Sequence, residues 1–178
     1  QIKQPKNIIL IMSYLNMQDE KLLPVVMELN TLLSDYHMYY QKLRSFHWNI
    51  LGKNFFDLHE QFEDMYNDAQ IKIDEIAERI LTLRHHPVSK FSDYIKIATV
   101  QEESAMISDQ AMIDSLLKDH KIILAQMSSV IDSAENASDE GTVDLIGAYI
   151  RELEKTSWML NAWTKKSTEQ LKEDTVAS

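Results

Sequence analysis

The sequence predicts an all-α protein, built as a four-helix bundle with one long connection. Only 3 of its 178 residues are glycine and only 3 are proline, so chain breaks are few. Apolar residues recur at steps of three and four through four long segments, which is the period of an amphipathic helix. No segment shows the strand-like alternation that would suggest a sheet.

The first predicted helix spans roughly residues 21–49 and ends before Gly52. A second apolar stripe beside its main stripe widens the face that is expected to be buried. The main stripe comprises Leu22, Val26, Leu29, Leu33, Tyr36, Tyr40 and Leu43, and His47 is its next member. Such a helix is expected to contact several neighbours.

The second predicted helix follows a gap of a few residues. Asn54 is predicted as its N-cap, Asp57 lies in its first turn, and the helix is expected to end near Arg84, before Pro87. Its apolar positions are Phe55, Leu58, Phe62, Met65, Ala69, Ile73, Ile76, Ile80 and Leu83.

The third and fourth predicted helices carry the same period through positions 113–134 and 143–160. Short gaps around Gly52 and around 138–141 predict that each consecutive pair is an antiparallel hairpin. Roughly 20 residues, 85–104, join the two pairs, and segment 91–98 within them is expected to form a short helix.

The composition excludes several kinds of site. Without cysteine there is no disulfide, thiolate nucleophile or iron–sulfur cluster, so a metal must be held by His, Asp and Glu. The formal charge of −10 argues against general nucleic-acid binding. The longest apolar run, residues 8–12, is far shorter than the ~18 residues that span a bilayer. We therefore expect a cytoplasmic protein.

Residues 1–11 are expected to lie upstream of the natural start, because Met12 opens a more typical N-terminus. They are excluded from the fold prediction. Removing Lys3 and Lys6 with them changes the formal charge from −10 to −12.

Four potential metal ligands share one face of the second predicted helix. They are His59, Glu63, Asp74 and Glu78. At about 100° per residue these positions fall within an arc of roughly 100°. His59 and Asp74 are 15 residues apart, about 22 Å along a helix axis. One chain cannot bring all four to a single metal, so a second chain is required.

We expect the second helix to pack antiparallel against its own copy, about a two-fold axis near residues 68–69. His59 and Glu63 then lie opposite the partner's Asp74 and the partner's Glu78, and the dimer contains two equivalent sites.

His47 is expected to join each site. It precedes Gly52 by five residues and His59 follows Gly52 by seven, so a hairpin brings both imidazoles to one end of the bundle. Each site would then collect His47, His59 and Glu63 from one subunit, and Asp74 and Glu78 from its mate. Two imidazoles and three carboxylates suit iron, with other divalent metals left open.

These residues lie in motifs that resemble the Dps family of mini-ferritins, the DNA-binding proteins from starved cells. The motifs are Phe46-His47-Trp48-Asn49, Gly52, Phe55-Phe56-Asp57-Leu58-His59-Glu60 and Ile73-Asp74-Glu75-Ile76-Ala77-Glu78-Arg79-Ile80. Weaker similarity continues through 139–142 and 158–160, so the resemblance covers roughly residues 20 to 165. It implies a ferritin-like domain at 21–165, between an N-terminal tail at 1–20 and a C-terminal tail at 166–178. A single long crossover is also the ferritin-like connectivity of a four-helix bundle.

The resemblance implies that these five ligand positions form a ferroxidase centre shared across a dimer interface. It also implies a hollow shell of twelve subunits in which ferric mineral is deposited, with hydrogen peroxide as the usual oxidant. The sequence departs from the family at Glu63, where Asp is frequent. It also lacks a basic tail, because the lysines of its C-terminal segment are mixed with acids. Those residues are Lys165, Lys166, Glu169, Lys172, Glu173 and Asp174.

Four other residues are considered for a role beyond packing or capping. Trp48 is expected to pack as a buried indole, with an electron relay near iron as the alternative. His120 continues an apolar stripe and is interpreted as a core histidine. Asp139 and Asp144 are interpreted as capping acids at the start of the fourth helix. The resemblance implies an alternative, in which they line a three-fold entry pore for cations.

The leading hypothesis is an iron-storing ferroxidase whose metal is Fe²⁺/Fe³⁺ and whose oxidant is hydrogen peroxide or oxygen. The second is a DNA-compacting starvation protein, which the charge disfavours. The third is a metal-binding shell, for example for zinc, without turnover.

Overall fold

The computed structural model describes residues 15, 17 and 19–165 of the chain. It contains five helices: α1 (Asp19–Asn49), α2 (Phe55–Thr82), α3 (Phe91–Ile97), α4 (Asp109–Ala137) and α5 (Glu140–Trp163). Within the described range there are no strands. The predicted all-α bundle, with its short helix in the one long crossover, is confirmed.

Helix α1 is the central element, because it packs against α2, α3 and α4, whereas α5 packs mainly on α4. Its double apolar stripe explains these several contacts. The side chains at the centre of the bundle are large, apolar or aromatic, and fully buried. They include Leu29, Leu32, Tyr36, Leu43, Phe46, Phe62, Ile76 and Ile80.

The helix ends differ from the predictions by a few residues. α1 begins at Asp19 rather than near 21, and α2 ends at Thr82 rather than near Arg84. Arg84 has a positive φ of 69°, so the chain has already left the helix there. Asn54 occupies the N-cap position of α2 but makes no capping bond. Its amide instead donates to Asp109 Oδ2 at 2.6 Å, which ties the start of α2 to the start of α4.

The long crossover is fastened to α1 by side chains that accept its backbone N–H groups. Asp35 Oδ1 accepts from Thr99 at 2.6 Å and from Val100 at 2.9 Å. Burial raises the pKa of the Asp35 carboxyl, and these two amide donors oppose that rise. Earlier in the crossover, Asn30 Oδ1 accepts from the Val88 N–H at 2.8 Å. The crossover therefore holds a fixed course beside α1.

No helix in the described range is both long and apolar enough to cross a membrane. The predicted tails, 1–20 and 166–178, lie almost entirely outside the described residues, and their boundaries stay predictions.

Candidate metal centre

The turn between α1 and α2 places two imidazoles face to face. Gly52 has a φ of +97°, a backbone conformation that residues with a side chain rarely adopt. The chain reverses direction at this glycine, between the two helices. The rings of His47 and His59 stack with centroids 3.7 Å apart and an interplanar angle of 20°. The prediction that this hairpin brings both rings to one end of the bundle agrees with this geometry.

The two histidines also hold one another through reciprocal hydrogen bonds. His47 Nδ1 lies 2.8 Å from the His59 carbonyl oxygen, and His59 Nδ1 lies 2.9 Å from the His47 carbonyl oxygen. A carbonyl oxygen only accepts, so each Nδ1 carries the proton. In the imidazole tautomer that carries its proton on Nδ1, the lone pair is on Nε2, which is the arrangement found in metal-binding histidines.

Packing limits the rotation of both rings. His47 is buried, and the edge of Tyr66 meets its ring at 5.3 Å. Phe55 stacks on the ring of His59, with ring centroids 5.0 Å apart. These contacts restrain the orientation of both rings.

The three predicted carboxylate ligands are exposed on α2. Glu63 lies one turn beyond His59, and its Oε1 accepts from the Tyr66 hydroxyl at 3.2 Å. Asp74 and Glu78 lie further along the same helix and are also exposed. Among the residues that the structure describes, no three His, Asp or Glu side chains are close enough to hold a metal ion.

One chain thus brings His47 and His59 together and leaves the carboxylates without a shared centre. Glu63, which was predicted to join His47 and His59 within one chain, forms no three-residue group with them among the described residues. For Asp74 and Glu78 the separation agrees with the spacing argument, in which they serve the partner subunit's histidines. That sharing stays a prediction.

Tyr66 is a residue of this centre that the sequence prediction missed. It follows Glu63 by three residues and His59 by seven, so it lies on the same face of α2. That spacing could have indicated that Tyr66 lies beside the predicted ligands. It belongs neither to the predicted ligands nor to the predicted apolar stripe of the second helix.

Trp48 corrects one expectation. Its indole is 58% exposed rather than buried, with the Arg44 guanidinium 4.8 Å from the ring centroid. Position 48 belongs to neither apolar stripe of α1, which explains why the ring points away from the core of its own chain.

Asp139 caps α5, as the sequence predicts, and its alternative role in a cation pore stays a prediction. The carboxylate is 1% exposed and caps α5 by accepting from the Thr142 N–H at 3.1 Å. It also pairs with the Arg79 guanidinium and accepts from the Thr142 hydroxyl. Both oxygens are committed inside the chain. Asp144, by contrast, is exposed on α5.

His120 is a core histidine, as predicted. The Ser157 hydroxyl donates to the Leu153 carbonyl, so it accepts from His120 Nδ1 at 2.8 Å. The Tyr39 hydroxyl then donates to His120 Nε2 at 2.7 Å. Burial lowers the pKa of His120 to about 4, so the neutral ring keeps both nitrogens in hydrogen bonds and offers no metal a lone pair.

Comparison with known proteins agrees with this architecture. The ferritin-like domain family matches residues 26–169. A relative from Porphyromonas gingivalis, named DNA protection during starvation protein, is 42% identical over 156 residues, which cover 88% of this chain and 98% of the relative. A second, DNA protection during starvation protein 2 from Bacillus anthracis, is 37% identical and covers 78% of this chain and 95% of its own.

A solved structure is similar to this chain in both sequence and fold. The DPS protein from Vibrio cholerae O1 superposes with a TM-score of 0.82 at 43% identity, covering 84% of this chain and 94% of that one. It is described as a member of a broad superfamily of ferritin-like diiron-carboxylate proteins. Together with the bundle and its single crossover, these similarities show that the chain belongs to the Dps family of ferritin-like proteins.

Proposed function

We propose that this protein is a ferroxidase that detoxifies and stores iron. Fe²⁺ is the substrate, bound where His47, His59 and Glu63 of one subunit meet the partner's Asp74 and the partner's Glu78. The observation that carries the proposal is the stacked histidine pair, whose reciprocal Nδ1 hydrogen bonds leave both Nε2 atoms outside those bonds. His59 also shares one face of α2 with the three predicted carboxylate ligands.

The donor set suits this chemistry. Carboxylate oxygens bind Fe²⁺ and Fe³⁺ and offset the charge that grows on oxidation, while imidazole nitrogens favour a transition metal over Mg²⁺. Two Fe²⁺ ions each give one electron to hydrogen peroxide, its O–O bond breaks, and two protons complete two water molecules. The Fe³⁺ is then retained inside a shell of subunits in the cytoplasm. A dodecamer is the assembly that the family resemblance implies.

The protein's role in the reaction is preorganisation. Stacking and reciprocal hydrogen bonds fix the imidazoles, so metal binding does not have to order them. The net charge of −10 draws cations toward the assembly.

The test is anaerobic stopped-flow oxidation of Fe²⁺ with added hydrogen peroxide, compared with oxygen alone, on an assembly of measured size. Replacing His59 and Asp74 together by alanine should abolish rapid oxidation and leave the assembly intact. The matched control replaces exposed His86 and exposed Asp132, residues of the same types outside the centre. Unchanged oxidation in the first variant would contradict the proposal.

Two other candidate functions can be distinguished from the ferroxidase by experiment. The names of the relatives favour DNA binding, which a mobility-shift assay tests directly. A metal-binding shell without turnover, holding zinc for example, would bind metal at the same residues but oxidise Fe²⁺ no faster than buffer.

A further inference from the structure

We propose that Tyr66 is a positioning residue of this centre, which joins the histidine ligands to the carboxylate ligand of the same chain. The inference rests on the proposed function, because it takes His47 and Glu63 as ligands. Tyr66 contacts both of them, although they lie on different helices.

The first contact orients a carboxylate. The Tyr66 hydroxyl donates to Glu63 Oε1 at 3.2 Å, from a position three residues further along α2. Glu63 is exposed, and a free glutamate in solvent samples many rotamers. The hydrogen bond favours the rotamers in which the carboxylate reaches the Tyr66 hydroxyl, and the ring of that tyrosine also contacts His47. One oxygen is thereby held, and the other remains available to a metal.

The second contact supports an imidazole. The Tyr66 ring meets the His47 ring nearly perpendicularly, at 86° and 5.3 Å between centroids. His59 stacks on the same imidazole at 3.7 Å. His47 is thus packed by His59 and by Tyr66, and Nδ1 is fixed by its backbone acceptor.

The position of Tyr66 is itself set by α1. Tyr40 packs edge-on against the Tyr66 ring at 6.1 Å, and Arg44 lies 5.3 Å from the centroid of Tyr40. The aromatic pair bridges α1 and α2 about two turns along each helix from the histidines. Because Tyr40 limits the movement of the Tyr66 ring, the Tyr66 hydroxyl is held in position to donate to Glu63.

Tyr66→Phe tests the inference, since it removes the hydroxyl and keeps the ring. Tyr94→Phe is the matched control, because it also removes a hydroxyl that donates a hydrogen bond, here to the Val88 carbonyl oxygen at 2.8 Å, outside the candidate centre. Anaerobic titration with Co²⁺ gives affinity and a d–d absorption spectrum that reports coordination. The dependence of Fe²⁺ oxidation on Fe²⁺ concentration separates binding from turnover.

We expect Tyr66→Phe to weaken Co²⁺ binding about tenfold and to change the d–d spectrum. The oxidation rate should fall more at limiting than at saturating Fe²⁺, while Tyr94→Phe matches the parent protein. In a Glu63→Asp background, where the carboxylate is one methylene shorter, Tyr66→Phe should have little further effect.

Co²⁺ affinity and spectrum equal to the parent's in Tyr66→Phe would overturn the inference, and so would full additivity with Glu63→Asp. The proposed function fails differently. A parent protein that binds Co²⁺ through His47, loses affinity in Tyr66→Phe, and yet does not accelerate Fe²⁺ oxidation would support the positioning role and refute the ferroxidase. Co²⁺ binding that His47→Ala leaves unchanged would contradict both.

Discussion

His47 and His59 each donate an Nδ1 hydrogen bond to the backbone carbonyl of the other, across a turn that Gly52 closes with a φ of +97°. The geometry of the histidine pair is therefore a product of the local hairpin. Its geometry depends on the turn as well as on the packing of the bundle.

Gly52→Ala should disturb this pair first. The backbone conformation at 52 is unfavourable for a residue with a Cβ, although no atom within 4 Å would meet that Cβ. We expect a loss of about 1–2 kcal/mol in the free energy of unfolding and weaker Co²⁺ binding, measured by urea denaturation and by absorption titration. Unchanged affinity and stability would show that the turn does not depend on glycine.

Gly141→Ala should destabilise the start of α5. A Cβ at 141 would lie 2.9 Å from Arg79 Nη2, so the guanidinium must move and its ion pair with buried Asp139 weakens. A loss of about 1–3 kcal/mol is expected. Gly147→Ala is the matched control in the same helix, because nothing lies within 4 Å of its Cβ. Equal effects of the two variants on urea unfolding would contradict this account.

His120 should make stability depend on pH. Burial lowers its pKa from 6.5 to about 4, so between these values the unfolded chain binds a proton that the folded chain does not. Its contribution to the free energy of unfolding is fully present above about pH 6.5 and declines as the pH falls toward 4, by about 3 kcal/mol in total. A neutral His120→Gln variant lacks this titration.

The measurement is urea unfolding of the parent and His120→Gln from pH 7 to pH 4.5. The parent's stability should fall more steeply than the variant's, since the other titrating groups are common to both. Parallel curves would mean that His120 does not titrate on unfolding.

DNA binding should be weak. The formal charge from Met12 onward is −12, obtained from −10 by removing Lys3 and Lys6. Without concentrated positive charge there is little counterion release on contact with DNA. A mobility-shift assay at low and moderate salt, with protein beginning at Met12, should show no tight complex. Tight binding that weakens steeply with salt would establish the DNA-compacting function instead.

Periodicity predicted most of the fold because each helix has an apolar face with few breaks. The four long helices, the short helix near 91–97 and the hairpin that joins His47 to His59 all follow from local sequence. The end of α2 was missed by two residues, because Arg84 takes a left-handed conformation without being glycine. No local pattern specifies that.

Contacts between distant segments could not be predicted. The burial of Asp139 depends on Arg79, which lies 60 residues earlier. The buried ion pair between Lys42 and Asp119 joins residues 77 apart at 2.7 Å, and sequence periodicity did not reveal it. Burial raises the pKa of the Asp119 carboxyl, and Lys42 opposes that rise. Such pairs arise only when helices meet.

The division of the metal centre between two subunits is tested most directly by complementation. His59→Ala chains and Asp74→Ala chains are each expected to be inactive. Co-expressed in equal amounts, they should recover about one quarter of the parent's rate of peroxide-dependent Fe²⁺ oxidation, because a quarter of randomly formed sites combine both intact residues. Mixing the parent with the doubly substituted chain should also leave about one quarter of the sites intact.

A centre contained in one chain gives different results. The two single variants would then stay inactive when mixed, and the mixture of parent and double variant would keep about half of the activity. Recovery in the first mixture is the result that the shared centre predicts, and continued inactivity there would contradict it.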